Sequence, residues 1–334
     1  MTQTEKNDAS PVGLDIGTSR IVVARKPDKE FQYESQLNAF VNIPFSKVTE
    51  SVLQGEKIPH RVEGSEIVVH GDEAERFADL LKTETRRPMI HGFLNPQESK
   101  SLERVVQLVG MLCGKAKKEG QLLYFSVAAP PVGEEDNLTY HEATLRRVLG
   151  ALGYEAKSIT EGLAVVYSEL AQSNYTGIGV SCGGGLCNVC LAYLSVPVFS
   201  FSIPKAGDFI DASSAAVVGG LATSIRIIKE DSFSFNGTAA DRIHQVIGVY
   251  YDDMIRTVLA TLTDQLAQCR NLPRLGRPIP LVLSGGSSLP AGFRDRFEQL
   301  LKESGFPIAL SEIRMADSPL HTVAKGALIA ALIE

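Results

Sequence analysis

The sequence predicts an α/β protein of two lobes, each split into a core and an inserted segment. Three observations carry this. A pattern of strand, Gly-rich turn, strand and strand opens near Val12 and recurs near Thr176. Each copy is followed by amphipathic helices alternating with short apolar strands. The chain has 334 residues, 44% of them hydrophobic, enough for about two buried cores.

The first copy sets apolar runs Val12 to Leu14 and Ile21 to Ala24 around Asp15-Ile16-Gly17-Thr18-Ser19, a hairpin pattern. Phe31 to Val41 predicts a third strand. From Ile43 to Asp79, breakers Gly55, Pro59, Gly64 and Gly71 separate short strands such as Ser65 to His70, predicting a small inserted subdomain. Gln97 to Lys118 predicts a helix, with Leu102, Val105, Val106, Val109 and Leu112 on one stripe. Gln121 to Ala129 predicts a buried strand ended by Pro130-Pro131. Helices follow at Asn137 to Leu152, stopped by Gly153, and at Thr160 to Leu170, with Thr160 as N-cap.

The second copy sets Thr176 to Cys182 and Asn188 to Leu194 around Gly183-Gly184-Gly185-Leu186-Cys187, with Val198 to Ile203 as third strand. Helices are expected at Asp211 to Ser224, Ile225 to Glu230 and Thr238 to Cys269. Leu281 to Leu283 predicts a buried strand running into Ser284-Gly285-Gly286-Ser287-Ser288. Pro290 to Ser304 and Leu320 to Ile333 predict two final helices, the last apolar enough to be buried.

A net charge of -6 argues against a nucleic-acid groove. No run approaches the roughly 18 to 20 apolar residues of a membrane span. The polar stretch Met1 to Ser10 lacks an apolar signal segment and predicts a short disordered tail and a cytoplasmic protein. Cys182, Cys187 and Cys190 raise the question of zinc. No fourth ligand lies near them in sequence, so they are expected to be core thiols.

The three glycine-rich turns suit one polyphosphate ligand. Backbone N–H groups in a tight turn can cradle phosphate where no side chain intervenes. Gly17 allows close approach, and Thr18 and Ser19 add hydroxyls. Asp15 suits Mg²⁺ held through water. Gly183, Gly184 and Gly185 offer a second cradle from the opposite half. Gly285 and Gly286 would let a flat base lie on bare backbone, with Ser287 and Leu289 beside it. Each turn alone is explained by ordinary turn chemistry. Their pairing, with matching strands around each, is what points to a phosphate clamp.

Taken in order, these segments resemble the superfamily of actins, heat-shock ATPases and sugar kinases. Val12 to Ser19 resembles its first phosphate motif, Ser181 to Val189 the second and Ser284 to Leu289 the adenosine motif. Ser158 to Ala164 resembles the first connecting helix and Ser318 to Ala331 the second. Within the superfamily the chain resembles bacterial actins, above all MamK-like filament actins, through Lys205-Ala206-Gly207-Asp208-Phe209-Ile210-Asp211. The resemblance implies an actin-like fold of two ribonuclease-H-like lobes flanking a nucleotide cleft. It implies ATP or ADP with Mg²⁺ as cofactors, and itself as partner in a filament. It places Gly207 and Asp208 at the nucleotide, and Lys229 and Glu230 at ribose and base. It makes Glu161, with Asp15, the catalytic pair, Glu161 orienting the attacking water.

The expected division gives a tail at 1–10 and a first core at 11–34, 77–171 and 318–334, with its insertion at 35–76. The second core is expected at 172–208 and 276–317, with its insertion at 209–275. One departure stands out. The family has an aspartate opening the second phosphate loop, and here Ser181 stands there; Asn188 replaces a later acid. Nucleotide binding with slow or impaired hydrolysis is therefore expected, and an acid restored at 181 is expected to speed it. The alternatives are a non-polymerising pseudo-ATPase adaptor and a small-molecule kinase of the same superfamily.

Overall fold

The structure is a computed structural model describing residues 10–132, 138–237 and 241–334. The expected tail, apart from Ser10, and the expected helix starts Asn137 and Thr238 lie outside the described residues.

β1 (Val12–Ile16), β2 (Arg20–Arg25) and β3 (Gln32–Leu37) form an antiparallel meander. Alternation decides its faces. Val12, Leu14, Ile16, Ile21 and Val23 enter one core, while Val22 and Ala24 face the other way. The expected third strand, Phe31 to Val41, is two strands. Asn38 and Ala39 turn the chain, and β4 (Phe40–Pro44) joins a separate sheet. That sheet adds β5 (His60–Glu63) and β6 (Glu66–His70), with α1 (Lys47–Gly55) and α2 (Asp72–Leu81) packed on it. The first sheet thus keeps the chain to Leu37, and α2 continues to Leu81.

A short hairpin, β7 (Met89–Ile90) and β8 (Phe93–Leu94), leads to α3 (Ser101–Cys113), which ends at Gly114 with φ 67. β9 (Gln121–Val127), α4 (Leu138–Ala151) and β10 (Tyr154–Thr160) complete the first lobe. β10 was not expected as a strand. It is an edge strand, and its outward residues, such as Glu155, blur the apolar pattern. α5 (Glu161–Glu169) follows, with Thr160 at the N-cap position but without a side-chain cap bond.

The second lobe repeats the plan. β11 (Gly177–Cys182), β12 (Cys187–Tyr193) and β13 (Val196–Ile203) form its meander. α6 (Gly207–Val218) stops at Gly219, whose φ of 76 suits glycine. α7 (Ala222–Ser232) then starts earlier and runs further than the expected Ile225 to Glu230. α8 (Arg242–Gln268), β14 (Ile279–Ser284), α9 (Phe293–Glu303), β15 (Leu310–Met315) and α10 (Thr322–Ile333) close the chain. β15, also missed, is the matching edge strand, with only Ile313 buried.

The sheet orders are β10-β9-β1-β2-β3 and β15-β14-β11-β12-β13, the same topology twice. Both combine an antiparallel meander with parallel crossovers. The expected plan of two lobes built on a duplicated sheet is thus present.

The lobes are joined by two exchanged helices. α5 leaves the first sheet at β10 and packs on β11 and β12 of the second. α10 leaves the second sheet at β15 and packs on β1, β2 and β9 of the first. The two helices also pack on each other. Glycines make this possible. A Cβ on Gly326 would sit 1.9 Å from the Ala164 carbonyl oxygen. On Gly13 it would sit 2.2 Å from the Ala324 oxygen, and on Gly179 2.4 Å from the Gly162 oxygen.

Gly326→Ala is therefore expected to destabilise the fold by about 2 kcal/mol or more, since two backbones must part. Gly110 in α3 has nothing within 4 Å of its Cβ position. Gly110→Ala is expected to be neutral or to stabilise by up to about 1 kcal/mol. Urea unfolding of the two variants checks the contrast.

Candidate functional site

Where the two meanders face each other they enclose a cavity of about 370 Å³. Its wall contains every residue singled out in the sequence as a site residue: Asp15, Gly17, Thr18, Ser19, Glu161, Gly183 to Gly185, Gly207, Asp208, Lys229, Glu230, Gly285 to Ser287 and Leu289.

The first turn is fixed by its own backbone. Gly17 N–H donates to the Arg20 carbonyl at 3.0 Å, and Asn38 Nδ2 donates to the Gly17 carbonyl at 2.9 Å. Thr18 Oγ1 accepts from Gly92 N–H at 2.8 Å. The second turn closes through Gly183 N–H to the Leu186 carbonyl at 2.9 Å. Its carbonyls serve the start of α6: Gly207 N–H donates to Gly183 at 3.1 Å and Asp208 N–H to Gly184 at 2.8 Å. Ser287 Oγ also donates to the Gly183 carbonyl, at 2.8 Å, and so ties the third turn to the second.

The turns from opposite lobes touch. A Cβ on Gly185 would lie 2.3 Å from Thr18 Oγ1, and one on Gly184 2.7 Å from Ser19 Cβ. Glycine is required there by proximity. At Gly285 conformation adds to it, because φ is 90 and a Cβ would lie 2.3 Å from the Cys182 carbonyl oxygen.

Two carboxylates lie deep in the cleft. Ser126 Oγ donates to Asp15 Oδ1 at 2.6 Å and accepts from Ile16 N–H at 3.1 Å. Ser181 Oγ donates to Glu161 Oε2 at 3.0 Å. Burial pushes the Asp15 carboxyl up to about 6, against the Ser126 hydrogen bond. Burial, and then the charge of Asp15, push Glu161 up to about 8, with Ser181 and Asn188 opposing. Asn188 is itself anchored, its Oδ1 accepting from Ala129 N–H at 2.8 Å.

Neither carboxylate has an ion-pair partner among the described residues. Mg²⁺ commonly takes one or two carboxylates and completes its shell with phosphate and water. Asp15 and Glu161 fit that pattern. The described residues hold no group of three or more His, Cys, Asp or Glu side chains that would form a cage. The three cysteines do not converge on one point: Cys182 and Cys187 pair across β11 and β12 and enter the second core, while Cys190 faces α5.

At the other end of the cavity, Lys229 is buried. Its Nζ lies 2.6 Å from Asp211 Oδ1 and donates to the Gly207 carbonyl at 3.3 Å. Glu230 is exposed at the rim. Asp211, Arg226, Phe233 and Tyr251 complete this end, the two rings stacked with centroids 5.2 Å apart. Sequence reasoning did not single out Ser126, Asn38, Arg226, Phe233 or Tyr251. Ser126 and Asn38 reach the site only through strand pairing, which leaves no local signal. Arg226 shares a helix face with Lys229 and Glu230 at i+3 and i+4 spacings, and that signal was available; Phe233 lies just past the end of α7.

The family model described as Volactin matches residues 11–331. No curated protein matches the chain. Two solved structures are similar over 96% of this chain and 98% of theirs. One, a MamK double helical filament, is 17% identical with a TM-score of 0.73. The other, a non-polymerising point mutant of MamK bound to AMPPNP, is 18% identical with a TM-score of 0.57. Among the described residues no helix is long and apolar enough to cross a membrane.

The raised carboxyl Glu161 has a consequence for stability. Between its ordinary value near 4.5 and about 8, the folded state holds a proton that the unfolded state has released. Stability from this group is thus full at low pH and lost as pH rises through that window. The melting temperature of Glu161→Gln is expected to fall less than wild type between pH 5 and pH 8 (roughly the window set by these values), as thermal scans across the range would read.

Proposed function

The chain belongs to the Volactin family, and from that premise we propose that it is an actin-like protein that binds ATP or ADP with Mg²⁺ between its lobes and assembles with copies of itself into filaments. The observation that carries the nucleotide reading is the meeting of three glycine-rich turns, from both lobes, around one cavity. Backbone amides of the first two turns would hold the phosphates. The third turn and α7 would hold the nucleoside, with Lys229 bracing α6 through Asp211 and the Gly207 carbonyl.

Mg²⁺, when bound, would supply positive charge that offsets the charge of the phosphates. Asp15 would hold it through water, with Ser126 orienting the carboxylate. Glu161 would orient a water toward the terminal phosphate, held in place by Ser181. With Ser181 and Asn188 in place of acids, hydrolysis is slow. The filament reading draws on the likeness to a MamK filament. ATP would favour assembly by preferring one lobe arrangement over another. The substitutions at 181 and 188 also favour a second reading, a nucleotide-binding adaptor that does not polymerise.

A fluorescent ATP analogue with Mg²⁺ is expected to bind wild type saturably. Gly185→Val, which drives a branched side chain into Thr18, is expected to weaken binding at least about tenfold. Sedimentation and negative-stain microscopy with ATP are expected to show filaments. Binding without filaments would select the adaptor reading, and no binding would refute both.

A further inference from the structure

Three polar bridges cross the mouth of the cleft, and none belongs to the phosphate turns. Arg226 of α7 pairs with Glu75 of α2, and its side chain is only 7% exposed. Thr223, at the start of α7, donates through its hydroxyl to Glu84, and its backbone N–H donates to the same carboxylate at 3.3 Å. Arg87 Nη1 donates to Asp208 Oδ1 at 2.7 Å, in the first turn of α6.

The three first-lobe partners come from one stretch, Glu75 to Arg87, that runs from the inserted subdomain back toward the first core. The three second-lobe partners lie on α6 and α7, and two of them, Asp208 and Arg226, themselves line the cavity beside Lys229. The bridges therefore span the cleft directly above the space that the turns enclose. Arg226 Nε is buried without a hydrogen-bond partner among the described residues, and the guanidinium is compensated by its bond to Glu75 and by the nearby charge of Asp211. A buried charge that loses its partner is strongly disfavoured, which makes this pair either formed or fully opened to water.

We propose that these three bridges act as a latch that sets how fast nucleotide enters and leaves the cleft. The proposal rests on the nucleotide reading above. It assigns Glu75, Glu84 and Arg87 to gating, not to binding. None of the three lines the cavity. A gate slows entry and exit alike, whereas a contact made to the ligand mainly slows exit.

The test is stopped-flow exchange of a fluorescent ATP analogue with Mg²⁺, on wild type and on Glu75→Gln/Glu84→Gln. Both substitutions keep shape and remove charge. Association and release are each expected to rise about tenfold, the scale of losing a charge-assisted hydrogen bond, with Kd within about threefold of wild type. Arg87→Gln, which breaks the third bridge alone, is expected to raise both rates less. It provides an independent reading if the double variant melts early. Wild-type rates in a folded variant would overturn the latch alone. So would faster release with unchanged association, which would make these side chains binding contacts. Absence of binding by wild type would overturn the nucleotide reading itself, and the latch with it.

Discussion

The contact on which the rest of the molecule depends is the crossing of α5 and α10 at Ala164 and Gly326. There the helix backbones meet with no room for a single methyl group. Each helix begins at the end of one lobe's edge strand and packs on the other lobe's sheet. The lobes are thereby joined through two interchanged parts of the core, not through a surface contact. Interiors are close-packed and resist continuous deformation. Relative movement of the lobes would therefore turn about this crossing, about one helical turn from Glu161 and Val323 of the cavity wall, and be felt at the polar bridges across the cleft.

The crossing also aims the chemistry. Glu161 is the first residue of α5, so its position in the cleft follows from where that helix must pass. Asp15 sits near the end of β1, whose Gly13 is pressed against α10. Two carboxylates are thus brought deep into one cleft by backbone packing. Each is met by a serine, Ser126 or Ser181, from a neighbouring strand. Carboxylates raised by burial, and in the case of Glu161 also by the charge of Asp15, are poised to gain from a cation. At residue 181 the chain uses a hydroxyl donor that steadies Glu161, and this softens the contrast drawn from sequence alone. Ser181 removes an acid from the site and also adds a hydrogen bond to the acid that remains.

Much of this was legible in the sequence because its signals are local. The hairpins around Gly17 and Gly183 announce themselves by apolar runs flanking turn residues. The duplication of strand patterns revealed two lobes, and five segments in order carried the resemblance to actins. What was missed is what depends on partners distant in sequence. β10 and β15 are edge strands with one wetted face, so residues such as Glu155 and Glu312 dilute the apolar pattern. The run from Phe31 to Val41 looked continuous because the turn at Asn38 contains neither glycine nor proline. Asn38 makes that turn by bonding back to Gly17 and Ser19, contacts no sequence window contains. The cross-cleft pairs of Glu75 and Glu84 were invisible for the same reason.

The central claim is that both lobes grip one nucleotide through their glycine-rich turns. Hydrogen exchange of backbone amides, with and without ATP and Mg²⁺, tests it most directly. The account predicts that nucleotide slows exchange together at residues 16–20, 183–187 and 285–289. Protection confined to one lobe, or located away from all three turns, would contradict it.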